Sequence, residues 1–113
     1  MRIRILVTIA GLMALAACGE PLGKKSMLAG CEAASAALRP DLASGSLDYR
    51  AVVGRESILR FHLQPDGAGP VTVNIKCKVN MRGALTRIKI DGTRARNGDL
   101  DAAKTAFAAA TGR

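Results

Sequence analysis

From residue 26 onward, hydrophobic positions recur at two different periods, and the changes of period divide the chain into elements. Over 26–38, Leu28, Cys31, Ser35 and Leu38 recur at spacings of three and four, which is one face of a helix. Ser26 is placed to cap it and Pro40 to stop it. Period two then takes over. Over 46–53, Leu47, Tyr49, Ala51 and Val53 share one side. Over 57–64, Leu59, Phe61 and Leu63 point inward while Arg60 and His62 point outward. The run over 71–79 is the clearest strand. Val71, Val73, Ile75, Cys77 and Val79 alternate with Thr72, Asn74, Lys76 and Lys78, as in a sheet with one wet face. Over 85–90, Ile88 and Ile90 point in while Arg87 and Lys89 point out. Helical spacing returns after Asp99, a candidate cap, with Leu100, Ala103, Phe107 and Ala110 on one face and Gly112 as the stop.

The intervals between strands are turns. Gly54 to Glu56 and Asn80 to Gly83 are short, and the Pro65-Asp66-Gly67-Ala68-Gly69-Pro70 stretch is a loop signal. Residues 91–98 read as a basic, polar loop. Short connections between consecutive strands favour an antiparallel meander. The order helix, four strands, helix therefore predicts an α+β two-layer sandwich. A four-stranded antiparallel sheet carries an N-terminal and a C-terminal helix on one face.

The first eighteen residues follow a different pattern. Arg2 and Arg4 precede an uncharged run of thirteen residues, 5–17. A bilayer-spanning helix takes about 20 apolar residues, so this run fits the hydrophobic region of a secretory leader. It ends in Leu15-Ala16-Ala17-Cys18, which resembles the lipobox of bacterial lipoprotein precursors. The resemblance covers residues 1–18, and no family is recognised for the domain that follows. The alternatives are an ordinary secretory leader, cut after Ala14-Leu15-Ala16, and an uncleaved anchor. The resemblance implies a diacylglyceryl group on Cys18 Sγ, cleavage before Cys18, and a further acyl chain, such as palmitate, on the new amino group. Several chains are needed because one holds a protein only marginally, at about 0.8 kcal/mol per buried CH₂. Gly19, where Asp would favour retention in the inner membrane, leans toward the outer membrane, with the domain facing the periplasm.

Three segments follow from this reading: a leader over 1–17, a lipidated Cys18 and tether over 18–25, and a folded domain over 26–113. The tether residues 19–25 reach at most about 25 Å. Lys24 and Lys25 then lie either among lipid head groups, where each adds about 1 kcal/mol on an anionic leaflet, or in a plain solvated linker.

With 113 residues the chain has room for one domain, and 49% hydrophobic against 23% charged residues is a globular balance. The 17 basic and 9 acidic residues give a net charge of +8, which becomes +6 once Arg2 and Arg4 leave with the leader. One His, one Tyr and no Trp argue against a multi-histidine metal site and an aromatic binding face.

With Cys18 lipidated, Cys31 and Cys77 remain. The compartment outside the inner membrane is oxidising, Cys31 lies on the apolar helix face, and Cys77 lies on the inward face of the clearest strand. A disulfide between them is expected, stapling helix to sheet for about 4 kcal/mol. Two buried free thiols or a metal pair are the competing readings. The wide separation and the single histidine weigh against zinc.

Enzymatic chemistry finds little material. A catalytic His62 would need a nucleophile and an orienting carboxylate nearby, and Ser57 and Asp48 stand in no recognisable motif. No glycine run forms a phosphate loop and no cofactor or metal is expected. One-sign enrichment of the predicted outer sheet face is the more informative feature. Arg50, Arg60, His62, Lys76, Lys78, Arg87 and Lys89 all fall outward, with Arg94 and Arg96 in the loop beyond and Asp48 as the lone acid. Charged residues belong on any solvated face. An electropositive surface for an anionic partner is the functional alternative. The expectation is a non-enzymatic, lipid-anchored envelope protein whose basic face meets anionic lipid, lipopolysaccharide or an acidic protein. Nucleic acid is disfavoured because no outward aromatic platform accompanies the basic residues. The alternative is a periplasmic inhibitor or immunity-type protein, which at this charge would require an acidic target.

Overall fold

The computed structural model describes residues 22–112. The leader, the Leu15-Ala16-Ala17-Cys18 box and most of the tether lie outside the described residues. The elements run α1 (Lys24–Leu38), a 3₁₀ turn (Pro40–Ser44), β1 (Ser46–Val53), β2 (Glu56–Leu63), β3 (Val71–Val79), β4 (Leu85–Ile90), β5 (Thr93–Arg94) and α2 (Asn97–Thr111). The five strands form one antiparallel sheet in the order β1-β2-β3-β4-β5, with both helices on one face. The fold is thus the expected α+β sandwich with one additional short strand.

Apolar alternation explains the core. Leu59, Phe61 and Leu63 of β2, Val73, Ile75, Cys77 and Val79 of β3, and Leu85 and Ile88 of β4 are buried on the inner face. Met27, Cys31 and Ala34 of α1 and Ala103 and Phe107 of α2 cover them. Cys31 and Cys77 are both fully buried and disulfide-bonded, with Cα atoms 5.9 Å apart. Helix and sheet are therefore joined covalently at the centre of the core.

The two helices run antiparallel. Leu38 and Arg39 at the end of α1 border the same depression as Arg96 and Asp99 at the start of α2. Gly30 meets Phe107 and Thr111 of α2. A Cβ at residue 30 would stand 2.6 Å from Phe107 Cε2, so this contact accepts only glycine without adjustment.

Several local expectations are corrected. α1 begins at Lys24, with Gly23 as its cap and Met27 N–H donating to Gly23 O at 3.0 Å, so Ser26 is inside the helix and Lys24 and Lys25 belong to it. Met27 takes the core position, while Leu28 and Leu38 are half-buried. In α2 the cap is Arg96, and Asp99 lies in the first turn, where a negative charge suits the helix N-terminus. Ala110 is exposed. Gly112 does end the helix, in the left-handed conformation at φ 74°.

The expected 91–98 loop contains β5. Asp91 and Gly92 have φ of 50° and 83°, the pair of left-handed residues that a tight two-residue hairpin turn requires. Ile90 then pairs with Thr93 and Lys89 with Arg94.

The largest correction lies in β1. Leu47 pairs with Phe61, but Tyr49 pairs with Arg60, leaving Asp48 as an extra residue in a β-bulge. Beyond the bulge the two faces of β1 exchange. Tyr49 is 47% exposed and Val53 66% exposed, whereas Val52 packs on the core. Val71, on the inner face at the open end of β3, is also largely exposed.

Candidate functional site

Among the described residues no helix covers the outer face of the sheet, so its side chains are arranged by strand register. Across β2, β3 and β4, one row reads Glu56, Lys78, Arg87 and the next Ile58, Lys76, Lys89. β5 extends the second row with Arg94, paired to Lys89. Directly opposite side chains in a sheet have Cβ atoms about 5 Å apart. Rows on one face are about 7 Å apart. Lys76, Lys78, Arg87 and Lys89 therefore stand at the corners of a small rectangle of positive charge. Like charges placed directly opposite one another destabilise a sheet.

Acidic partners reach only some of these groups. Arg87 lies 3.5 Å from Glu56, across the width of β3. Arg60 Nε donates to Asp48 Oδ1 at 3.1 Å. The β-bulge creates this pair, because it sets Asp48 and Tyr49 together opposite Arg60. The same guanidinium lies over the Tyr49 ring, 5.2 Å from its centre. Among the described residues, Lys76, Lys78, Lys89 and Arg94 have no carboxylate within 4.0 Å. Beside Lys76 and Lys89 lies a shallow depression of about 570 Å³ with Ile58, Asn74, Asp91 and Gly92. Its rim acid is engaged by the backbone, with Asn74 N–H donating to Asp91 Oδ1 at 2.9 Å.

The expected set of basic residues is thus largely brought together, with two corrections. Arg50 does not belong to it. After the bulge Arg50 pairs with Leu59 on the inner face and borders a depression beside Lys25, Leu28, Ala29 and Glu32 of α1. Tyr49, expected inside, supplies an outward aromatic ring, one side of which Arg60 covers. The register also leaves Ile58 and Ala51 on the outer face, so two apolar side chains adjoin the cationic β3–β5 part. Arg96 caps α2 and lies off the sheet.

The residues considered for catalysis are divided by the sheet. Ser57 is buried on the inner face, opposite Cys77, and its Oγ has no hydrogen-bond partner. His62 and Asp48 lie on the outer side, so Ser57 cannot meet them. Among the described residues no three His, Cys, Asp or Glu side chains group as a metal site, and no helix is long and apolar enough to cross a membrane. Comparison of the chain with protein-family models, with curated proteins and with solved structures gives no match.

Proposed function

We propose that this chain is a small lipid-anchored protein of the bacterial cell envelope, non-enzymatic, whose outer sheet face binds an anionic partner. The observation that carries the reading is the row Lys76, Lys89, Arg94, three cations side by side on three neighbouring strands with no carboxylate within 4.0 Å among the described residues. Opposed like charges cost about 0.2–1 kcal/mol per pair. A bound anion would reverse that cost, so the face is more favourable occupied than empty. Lys78 and Arg87 flank the row, and Arg60 contributes less because Asp48 offsets it. The apolar side chains Ile58 and Ala51 beside the row suit an amphiphilic partner such as a phosphorylated lipid or glycolipid. The lipid anchor at Cys18 rests on the leader sequence.

The test uses the full, lipidated chain purified from bacterial membranes, alongside the double variant Lys76→Glu, Lys89→Glu. Loss of co-purifying anionic lipid or lipopolysaccharide in the variant supports the reading. Retention of the same material at low salt refutes it, because screening is then weakest. Recovery of one acidic protein, released by the same variant, would instead establish the inhibitor-type reading.

A further inference from the structure

The end of the domain from which the chain leads back toward Cys18 has a surface of its own. The β1–β2 and β3–β4 turns both lie at this end and touch, with Val79 N–H donating to Arg55 O at 3.0 Å. The start of α1 comes to the same level. From the disulfide, α1 climbs eight residues from Cys31 to Gly23, about 12 Å. β3 climbs from Cys77 to Asn80, about 10 Å. The opposite end of α1 packs near β5, which fixes this direction.

Each turn presents an exposed large hydrophobe. Val53 is 66% and Met81 76% exposed, the two highest values among the large apolar residues described. Lys24 and Lys25 at the start of α1 and Arg55 in the β1–β2 turn are exposed, with no carboxylate within 4.0 Å among the described residues. Among the described residues at this end, Glu56 is engaged by Arg87. Exposed apolar tips at the same end as exposed cations are the chemistry of a surface that meets lipid head groups and enters just below them. The four-residue step from Leu22 back to Cys18 spans at most about 14 Å.

We propose that this end docks on an anionic bilayer surface, with Val53 and Met81 entering the head-group region and Lys24, Lys25 and Arg55 lying against lipid phosphates. The inference rests on the lipid-anchor reading for its location but not on the role of the outer sheet face. Docked in this way, the strands rise away from the bilayer, and the Lys76, Lys89, Arg94 row faces sideways, accessible to a partner in the same leaflet.

Because the chain has no tryptophan, single-tryptophan variants report position directly. Val53→Trp, Met81→Trp and, at the opposite end, Asp66→Trp are prepared in the full chain, with circular dichroism verifying the fold. They are mixed with vesicles of phosphatidylethanolamine and phosphatidylglycerol brominated on its acyl chains. Blue-shifted, quenched emission at 53 and 81, with unchanged emission at 66, is the expected result. Sedimentation with the vesicles without preferential quenching at 53 and 81 overturns the docking while leaving the anchor intact. A chain that stays in the supernatant overturns both.

Discussion

Replacing Gly30 by alanine sets two effects of known sign against each other. In a solvated helix the change is favourable by about 1 kcal/mol, because glycine gives up more backbone freedom on folding. Here the new methyl would stand 2.6 and 2.7 Å from two ring carbons of Phe107 and 2.9 Å from Thr111 Cγ2. Carbon atoms rest at about 3.5–4.0 Å, so relief requires a shift of roughly 1 Å. Phe107 is only 1% exposed and borders a depression of about 390 Å³ beside the β3–β4 turn, so either its ring shifts toward that space or α1 and α2 separate. Overpacking of this kind costs about 1–3 kcal/mol, which exceeds the helical gain and leaves a net loss of about 1 kcal/mol. In a domain of this size that lowers Tm by about 4–8 °C, readable by circular dichroism with the disulfide intact. Adding Phe107→Leu removes the ring edge, so in that background Gly30→Ala should become neutral or stabilising. If Gly30→Ala raises Tm in the otherwise native chain, the two helices are not in the contact described and the reasoning fails.

Other expectations follow from the same geometry. Cys31→Ser with Cys77→Ser, or reduction of the bond, should lower stability by about 4 kcal/mol for a loop of 46 residues, measured by urea unfolding with and without reductant. Ser57→Ala removes a buried hydroxyl that has no partner and should raise stability by about 1 kcal/mol in the same assay; a loss would mean that the hydroxyl is satisfied. Lys89→Glu places an acid between Lys76 and Arg94 and should stabilise the sheet by a few tenths of a kcal/mol while weakening capture of anionic material. Stability and binding moving together would argue against a binding role for the row. Arg39 donates to both oxygens of Asp41, at 2.9 and 2.6 Å, and this holds the carboxyl below its ordinary pKa. The stability linked to that pair is present above the ordinary carboxylate range and is lost as pH falls through the lowered value. A carbon-detected NMR titration should find Asp41 low, and Arg39→Gln should return it upward.

On the proposed readings, the cationic outer face and the apolar turn tips have different work in one small domain. Its inner face is devoted to the core, and the disulfide holds that core together. Outer-face residues are free of packing duty, so opposed cations there carry a stability penalty that a bound anion would relieve. Arg60 has a different position from its neighbours. The bulge at Asp48 gives it both a carboxylate and a ring, which makes it the most constrained cation of the face. The same bulge turns Arg50 toward α1.

By itself the amino-acid pattern determined the layer architecture, the antiparallel meander, the inward set of β2 and β3 and the placement of Cys31 and Cys77 on apolar faces, while the structure decided between a bond, free thiols and a metal pair. Those features follow from periodicity, which is a local property: a run of alternating residues has one apolar side wherever it is placed. The Asp91-Gly92 pair also held the signal for β5, since only a tight turn calls for two consecutive left-handed residues. Tertiary structure alone decided the rest. A bulge adds one residue to one strand, and a one-residue shift moves every later side chain to the other face. No local feature of residues 46–53 distinguishes Tyr49 inside from Tyr49 outside, so the fates of Tyr49, Arg50 and Val53 depended on how β1 pairs with β2. Gly30 is similar: its neighbours in sequence describe a helix, and only the approach of Phe107, 77 residues later, explains why that helix carries a glycine there.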